Sequence, residues 1–167
     1  KKFDINHLIT EEHIAVEPRF YSMLTEDNKN IYALDLLKSS NMSFEEKWEM
    51  LSDRLKQDIS LLSTFFTDKS VNENYSIKPD IDELSGFIDV STLKKLVSPL
   101  ADAGYNLFEM KSVGKEWKTN RIIISKVIAY NQDAYEEVID LIEAEPEIII
   151  EALKFNPDRK STRLNSS

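Results

Sequence analysis

The sequence predicts an α+β protein in which a helical N-terminal segment precedes a small α+β sandwich. Three observations lead to this fold class. A stripe of apolar residues at helical spacing runs from Phe44 to Phe66, a polar and turn-prone stretch follows at 67–74, and the pattern beyond it alternates between helix-like and strand-like runs. We therefore expect a mainly helical segment over 1–70 and an α+β domain over 75–156.

Two helices are expected in the N-terminal segment. The first spans about 27–38, where aliphatic residues recur every third position. The second is about six turns long and begins after Ser43, because Ser43 followed by Glu46 has the pattern of a capping box. Its apolar stripe consists of Phe44, Trp48, Leu51, Leu55, Ile59, Leu62 and Phe66. A stripe this regular packs against the core of its own domain or against a partner helix.

The α+β region is expected to open with a short strand over Tyr75–Lys78. A helix follows from Leu93 to Ala103, and Pro99 inside it removes one backbone hydrogen bond, which kinks or restarts the helix. Gly104 then ends this helix, because glycine readily adopts the left-handed conformation found after many helix C-termini.

Two strand-like runs come next, Asn106–Val113 and Arg121–Tyr130, both rich in aliphatic residues. The polar stretch between them predicts that they pair as an antiparallel hairpin. A second helix is expected over Asp133–Glu145, since an acidic residue can cap its start and a proline follows its end. The last run, Ile148–Phe155, is compatible with a strand or a helix, because periodicity does not separate the two over so short a length.

The predicted order, strand-helix-strand-strand-helix-strand, is that of a ferredoxin-like βαββαβ sandwich. Within it, Gly104–Ser112 (Gly-Tyr-Asn-Leu-Phe-Glu-Met-Lys-Ser) resembles the signature of ACT domains at the turn from the first helix to the second strand. Asp82 or Glu83 before Gly86 is similar to the acidic loop that ends the first strand in that family. The resemblance covers about half of the chain and leaves the N-terminal helices outside it.

Resemblance to ACT domains implies a regulatory module that binds amino acids or similar small ligands, usually through paired domains. Contacts to a ligand or partner are then expected at Gly86, Gly104, Tyr105 and Asn106. The function expected is that of a non-catalytic regulatory or binding module with no catalytic residues and no cofactor. A homodimer, or a contact with another domain of the parent protein, is expected through the 44–66 stripe or a sheet edge.

A winged helix-turn-helix that binds DNA is the alternative. In this fold the helix ending at Ala103 enters the major groove and the 106–130 hairpin forms the wing. The residues expected to contact DNA are Thr92, Lys94, Lys95, Lys115, Lys118 and Arg121. Pro99 within the recognition helix and the acidic net charge count against this alternative.

A third hypothesis is a nuclease fragment. Asp80, preceded by proline, and the Glu109–Lys111 tripeptide follow the order of the PD and E-x-K pieces of restriction nucleases, in which two carboxylates hold Mg²⁺. A whole predicted helix separates the two pieces here, which argues against this hypothesis. His7 and His13 lack the four-residue separation typical of zinc-binding helices, so no metal site is expected.

The chain is acidic, with 21 Lys and Arg residues against 30 Asp and Glu and a net charge of −9. This balance disfavours non-specific binding to nucleic acids and to anionic membranes. The absence of cysteine excludes disulfides, thiolate metal sites and a cysteine nucleophile. Apolar runs are short, so we expect no membrane-spanning segment and no interaction with membranes. The absence of cysteine indicates a reducing compartment, so a cytoplasmic location is expected.

The segment 158–167 is expected to be an artefact. One choice of codons for it, GATCGGAAGAGCACACGTCTGAACTCCAGT, resembles the start of a widely used sequencing-library adapter, so we exclude it from the fold prediction. It holds three basic residues and one acidic residue, and the remaining chain therefore carries a net charge of −11. Lys1 in place of an initiator methionine leads us to expect a piece truncated at both ends.

Overall fold

The structure is a computed structural model that describes residues 10–157. All secondary-structure elements in this range are α-helices or 3₁₀ helices, and the range contains no strand. The backbone forms two compact units, one ending at Ile88 and the other beginning at Asp89. The predicted linker at 67–74 therefore lies inside the first unit.

The N-terminal unit, 10–88, is built from short helices. They are α1 (Glu11–Val16), α2 (Glu26–Leu37), α3 (Phe44–Met50), α4 (Asp53–Lys56), α5 (Ile59–Thr67), α6 (Lys69–Asn72) and α7 (Ile81–Phe87). A 3₁₀ segment, Pro18–Met23, connects α1 to α2. The helix predicted over about 27–38 is confirmed as α2, and Thr25 caps it through its side-chain oxygen.

The apolar stripe at 44–66 lies on three short helices and not on one helix of about six turns. Ser43 caps α3 as predicted, with its Oγ accepting a hydrogen bond from a backbone N–H of α3 at 3.2 Å. Leu51 is then extended, and the side chains of Ser52 and Asp58 cap α4 and α5. Such side chains compete with a continuous helix because they satisfy the backbone donors of a new N-terminus. Most of the stripe is nevertheless buried.

A buried lysine holds the junction between α2 and α3. The Lys47 side chain is fully buried, and its Nζ donates hydrogen bonds to the carbonyl oxygens of Leu37 at 2.7 Å and Ser39 at 2.6 Å. In the same loop, Ser39 Oγ donates to the carbonyl of Ala15 at 2.9 Å, and the Asn41 amide donates to the next carbonyl of α1 at 2.6 Å. The loop side chains thus satisfy carbonyl groups at the end of α1, and Lys47 of α3 satisfies one at the end of α2.

The C-terminal unit, 89–157, contains the remaining helices. They are α8 (Val90–Lys95), α9 (Val97–Asp102), α10 (Gly114–Trp117), α11 (Arg121–Tyr130), α12 (Ile139–Ala144) and α13 (Glu147–Phe155). Two 3₁₀ segments, Leu107–Glu109 and Gln132–Val138, precede α10 and α12. α11 packs against both α9 and α13, and its buried residues form the centre of this unit.

The helix interruption predicted at Pro99 and the stop predicted at Gly104 are both confirmed. The chain forms α8 and α9 in place of one helix, and Pro99 occupies the first turn of α9, where its missing N–H breaks no helical hydrogen bond. Gly104 has φ +87°, and its N–H donates to the carbonyl of Ala101 at 2.9 Å. The N–H of Tyr105 donates to the carbonyl of Leu100 at 3.2 Å, which completes a Schellman motif.

The predicted α+β fold class is wrong, because residues 10–157 contain no strand. This finding removes the ferredoxin-like sandwich and ACT-type fold over 75–156, and it also removes the winged helix. The predicted strand Arg121–Tyr130 is helix α11. Its β-branched residues favoured a strand, but Ile124, Val127 and Ile128 recur at steps of three and four and are buried on one helical face.

The other predicted strands are also absent. Asn120 begins α11, since its Oδ1 accepts two backbone N–H groups of the first turn at 3.1 and 3.2 Å. Asn106–Val113 forms a 3₁₀ segment and turns, and Tyr75–Lys78 forms turns. Ile148–Phe155 lies in α13, which settles the prediction left open between strand and helix. Asp133–Glu145 is helical as predicted, but it divides into a 3₁₀ segment and α12.

Candidate functional site

The candidate site lies between α11 and α13, which run parallel to each other. Near their N-terminal ends, Ser125 Oγ donates to the carbonyl of Ile148 at 3.4 Å. Near their C-terminal ends, Tyr130 donates its hydroxyl to the carbonyl of Phe155 at 2.7 Å, and the Asn156 amide donates to the carbonyl of Ala129 at 2.9 Å. These contacts, made by side chains at both ends of the pair, fix the two helices against each other.

Helix α13 has more apolar side chains than its contact with α11 can cover. Ile148 and Ala152 are fully buried. Ile150 and Phe155 remain 58% and 37% exposed. Since residues four apart lie on one face of a helix, Ile148 and Ala152 form the inward face, and Ile150 belongs to a different, outward face.

A groove of about 180 Å³ lies beside this helix pair. It is lined by Arg121, Ile122, Ser125, Glu151 and Phe155. Ile122 is 65% exposed, so an aliphatic and an aromatic side chain both meet solvent at the groove. A cavity of about 150 Å³ with apolar walls accommodates a benzene-sized molecule, so the groove is large enough for one bulky apolar side chain.

Charged side chains of both signs surround the groove. Arg121 and Glu145 form an ion pair at 3.6 Å, and Lys154 and Glu151 form another at 3.3 Å. Lys126 Nζ lies 5.4 Å from the centroid of the Phe155 ring, within the range of a cation–π contact. The apolar groove is thus bordered by a polar rim, an arrangement typical of protein interfaces.

Comparison with known proteins adds no family to this geometry. No protein-family model, curated protein or solved structure matches this chain. The proposals below therefore use only the contacts, burial and charge of the residues that the structure describes.

Three of the four ligand-binding residues predicted from the ACT resemblance, Gly104, Tyr105 and Asn106, have local structural contacts. Gly86 lies in α7, where an added Cβ would meet nothing within 4 Å. Gly104 and Tyr105 form the stop after α9, and the carbonyl of Gly104 accepts a hydrogen bond from Asn131 at 2.8 Å. Asn106 caps a 3₁₀ segment through Oδ1 and donates its amide to Glu137. Ligand binding at these positions stays a prediction, although the ACT-type fold that motivated it is absent from residues 10–157.

Several residues predicted to contact DNA have carboxylate partners within the C-terminal unit. Lys94 lies 3.4 Å from Glu116, and Lys118 lies 3.3 Å from Glu137. Arg121 is paired with Glu145, as described above. Thr92 is buried, whereas Lys95 and Lys115 are exposed. The ion pairs reduce the positive potential that phosphate binding requires.

The acidic pieces of the nuclease hypothesis are used in local structure. The Asp80 carboxylate caps α7 by accepting the N–H of Glu83 at 2.8 Å, and Glu109 lies in a 3₁₀ segment. His13 accepts the N–H of Thr10 at 3.0 Å, while His7 lies outside the described residues. Across residues 10–157, no three His, Asp or Glu side chains are placed to hold a metal ion. No helix in that range is long and apolar enough to cross a bilayer.

The sequence did not single out the groove. Ile122, Glu151 and Phe155 belong to two helices that are distant in sequence, and one of these helices was predicted to be a strand. The available signal was the composition of Glu147–Phe155, which has apolar residues at more positions than one helical face contains. A helix with that pattern is buried on several sides or has an apolar face open to a partner.

Proposed function

We propose that this chain is a non-catalytic binding module whose C-terminal unit accepts an apolar side chain of a helical protein segment in the α11–α13 groove. The observation that carries the proposal is the exposure of Ile122 and Phe155 on the walls of one groove. Solvent contact with apolar surface costs about 25 cal/mol per Å², and a partner that covers these side chains recovers that free energy.

A protein partner suits the groove better than a nucleic acid. Of the three cationic groups beside it, Arg121 and Lys154 are paired with Glu145 and Glu151, and Lys126 donates to the Ser98 hydroxyl and lies over the Phe155 ring. A phosphate backbone would have to displace these carboxylates while approaching a chain with a net charge of −9. An apolar side chain flanked by charged groups of both signs does not have to displace these carboxylates and is not repelled by the negative net charge.

A cytoplasmic location is part of the proposal. The chain contains no cysteine and therefore derives no stability from an oxidising compartment. Its acidic charge also disfavours attraction to anionic lipid surfaces.

The proposal can be tested by titrating the ¹⁵N-labelled protein with N-acetyl-leucine amide, which carries the type of side chain that the groove would accept. We expect NMR shift changes to cluster at Ile122, Ser125, Glu151 and Phe155. In Ile122→Gln these changes should be at least about tenfold weaker at equal ligand concentration, because one wall of the groove loses its apolar surface.

Ile31→Gln provides a matched control. Ile31 is 66% exposed on α2 of the N-terminal unit, nearly the same exposure as the 65% of Ile122. This control should leave the titration unchanged. Shift changes located away from the groove, or equal effects of the two substitutions, would contradict the proposed site.

A further inference from the structure

Two pairs of polar side chains connect α9 to α11 in register. Ser98 and Asp102 lie four residues apart and share one face of α9. Lys126 and Tyr130 have the same spacing on α11. The Lys126 ammonium donates a hydrogen bond to Ser98 Oγ, and the Tyr130 hydroxyl is hydrogen-bonded to the Asp102 carboxyl group. The second contact therefore lies about one helical turn beyond the first on both helices.

Both of these α11 residues also contact Phe155, the last residue of α13 and a wall of the groove. The Lys126 ammonium lies 5.4 Å from the centroid of the Phe155 ring. The Tyr130 hydroxyl donates to the Phe155 carbonyl oxygen at 2.7 Å. This carbonyl is one of the last in α13, so the helix itself provides no donor for it. The position of the groove wall therefore depends on two side chains that are themselves bonded to α9.

Tyr130 has one hydroxyl proton and two possible acceptors for it. A tyrosine hydroxyl donates a single hydrogen bond, and an ionised carboxylate accepts hydrogen bonds but donates none. While Asp102 is ionised, its carboxylate competes with the Phe155 carbonyl for the Tyr130 proton, and a charged acceptor forms the stronger bond. A protonated Asp102 can instead donate to the Tyr130 oxygen, which leaves the Tyr130 proton on the Phe155 carbonyl.

We propose that protonation of Asp102 controls the binding of an apolar side chain in the α11–α13 groove. The inference rests on the proposed function, because it concerns the regulation of the same groove. With a proton on Asp102, hydrogen bonds run from Asp102 through Tyr130 to Phe155, and the groove wall is fixed before a ligand arrives. Without that proton, Tyr130 donates to Asp102 and the Phe155 carbonyl loses its donor. A wall that is already fixed loses less conformational entropy on binding, so the protonated form has the higher affinity.

The surroundings of Asp102 determine the direction of the pH dependence. Partial burial raises the pKa of the Asp102 carboxyl above its ordinary value of 3.8, while Lys126 and the hydrogen bond from Tyr130 oppose this shift. Affinity for an apolar ligand should therefore be highest below the raised pKa and fall as pH rises through it. By linkage, a ligand in the groove should raise the pKa of Asp102 further.

Lys126 is the cation that acts on Asp102. The elements packed against α9 are α8, α11 and the 3₁₀ segment Leu107–Glu109. Their other charged side chains are Lys94, Lys95, Glu109 and Arg121. Lys94 and Arg121 have carboxylate partners of their own, as described above. The charge that opposes the proton on Asp102 thus comes from the same α11 face that holds Phe155.

The hydrogen-bond exchange can be tested without a ligand. In ¹³C-labelled protein, the carbonyl carbon of Phe155 should change its chemical shift as Asp102 titrates, because this carbonyl loses its donor. Asp102→Asn introduces an amide that is neutral at every pH and can donate to Tyr130. The component of the Phe155 shift that follows Asp102 should therefore be absent from this variant. The same Phe155 titration in both proteins would overturn the proposed control.

The effect on binding is measured with N-acetyl-leucine amide at pH 7, where we expect Asp102 to be ionised. Asp102→Asn should bind this neutral ligand about fivefold more tightly than the unchanged chain does. Tyr130→Phe should give no gain, because it lacks the hydroxyl that reaches Phe155. Adding Tyr130→Phe to Asp102→Asn should abolish the gain, since the amide acts only through Tyr130. A gain that survives in the double variant would contradict this route.

Asp140→Asn is the matched control for the change in charge. Asp140 is exposed in the first turn of α12, within the same unit, and its substitution changes the net charge equally. It should leave both the affinity and the Phe155 titration as they are in the unchanged chain. Equal affinities of Asp102→Asn and Asp140→Asn would overturn the control by Asp102.

Failure of this control and failure of the proposed function can be distinguished. Binding in the groove with one affinity in all of these proteins would overturn only the role of Asp102. Absence of NMR shift changes at Ile122 and Glu151 in Asp102→Asn would overturn the groove as a binding site, and the control of binding with it.

Discussion

At the scale of single residues, Lys47 gives the N-terminal unit a specific dependence on pH. Burial lowers the pKa of the Lys47 ammonium to about 8, and Glu83 partly opposes this shift. Between pH 8 and the ordinary lysine value of 10.5, the folded chain therefore binds fewer protons than the unfolded chain. Its free energy of unfolding should rise with pH across this window, and below the window Lys47 should add no pH dependence.

Replacing Lys47 with methionine should remove this pH dependence. From pH 7.5 to pH 9.5, urea unfolding of the original chain should show a contribution of about 2 kcal/mol that is missing in Lys47→Met. The comparison stays below the range in which Tyr21 affects stability, because that range runs from the ordinary pKa of the phenol, 10.0, to its raised value of about 12 in the folded chain. Lys69→Met, on the exposed surface, should retain the full pH dependence. Parallel pH profiles for Lys47→Met and the original chain would contradict this account.

Asp68 gives a pH dependence of the same sign in the acid range, where its charged form is the stabilised one. Hydrogen bonds from the Lys38 ammonium at 2.7 Å and from Ser70 lower the pKa of the Asp68 carboxyl to about 2. The stabilisation is complete above the ordinary value of 3.8 and is lost as pH falls through about 2. We expect Asp68→Asn to destabilise the chain by about 1 kcal/mol at pH 7 and to flatten the acid limb of its stability profile.

Glu73→Gln is the control for that experiment, because Glu73 is mostly exposed and its contact with Lys69 is long, at 4.0 Å. Its stability profile between pH 4 and pH 2 should match that of the original chain. An acid limb that is unchanged in Asp68→Asn would show that the Lys38–Asp68 pair contributes no pH-dependent stability.

At the scale of elements, the start of α10 depends on close backbone packing at Gly114. A Cβ added there would overlap the carbonyl oxygen of Phe108 and lie 2.8 Å from its carbonyl carbon. Because the obstructing atoms belong to the backbone, Gly114→Ala must move the chain between the 3₁₀ segment and α10. Thermal or urea unfolding should show a loss of roughly 3 kcal/mol.

Gly86→Ala is the matched control for Gly114→Ala. An added Cβ meets nothing within 4 Å there, and the residue lies within helix α7. Gly86→Ala should therefore raise the free energy of unfolding by about 0.5–1 kcal/mol, because alanine favours the helix. A similar loss of stability for both alanine variants would show that steric overlap at Gly114 is not the cause.

Local capping chemistry was predictable from the sequence, whereas helix and strand were confused in the C-terminal unit. Ser43, Pro99 and Gly104 act within one or two turns of the chain, and the structure confirms the start, restart and stop expected of them. In α11, a run of β-branched residues favoured a strand, but the cap at Asn120 and burial on one side favour the helix. Tertiary packing overrides β propensity at such positions.

The candidate site was less predictable than the helices. Its walls come from Ile122 on α11 and from Glu151 and Phe155 on α13, which are adjacent only after folding. A correct assignment of both helices was required before these residues could be placed together. The 44–66 stripe drew attention as a partner surface, yet most of its side chains are buried, while the exposed apolar residues of the C-terminal unit lie elsewhere.

At the scale of the whole molecule, the C-terminal unit has a core of its own. Its buried residues include Leu93, Leu100, Trp117, Val127 and Ile148, which come from α8 to α13. We expect a fragment of residues 89–157 to retain a helical circular dichroism spectrum and to unfold in one cooperative transition, as a domain with its own core does.

A shorter fragment, residues 107–157, serves as the control. It lacks α8 and α9, so α11 loses its packing against α9. This fragment should lose the cooperative transition. Gradual, non-cooperative melting of residues 89–157 would show that its core does not suffice for folding.

The hydrogen bonds made by Tyr130 and Asn156 affect the kinetics of any association in the groove. They hold the C-terminal ends of α11 and α13 together before a partner arrives. Little backbone ordering is then required at the moment of contact, so the entropic cost of binding is small. Encounter should proceed at a similar rate for good and poor partners. Differences in affinity should therefore appear as differences in residence time.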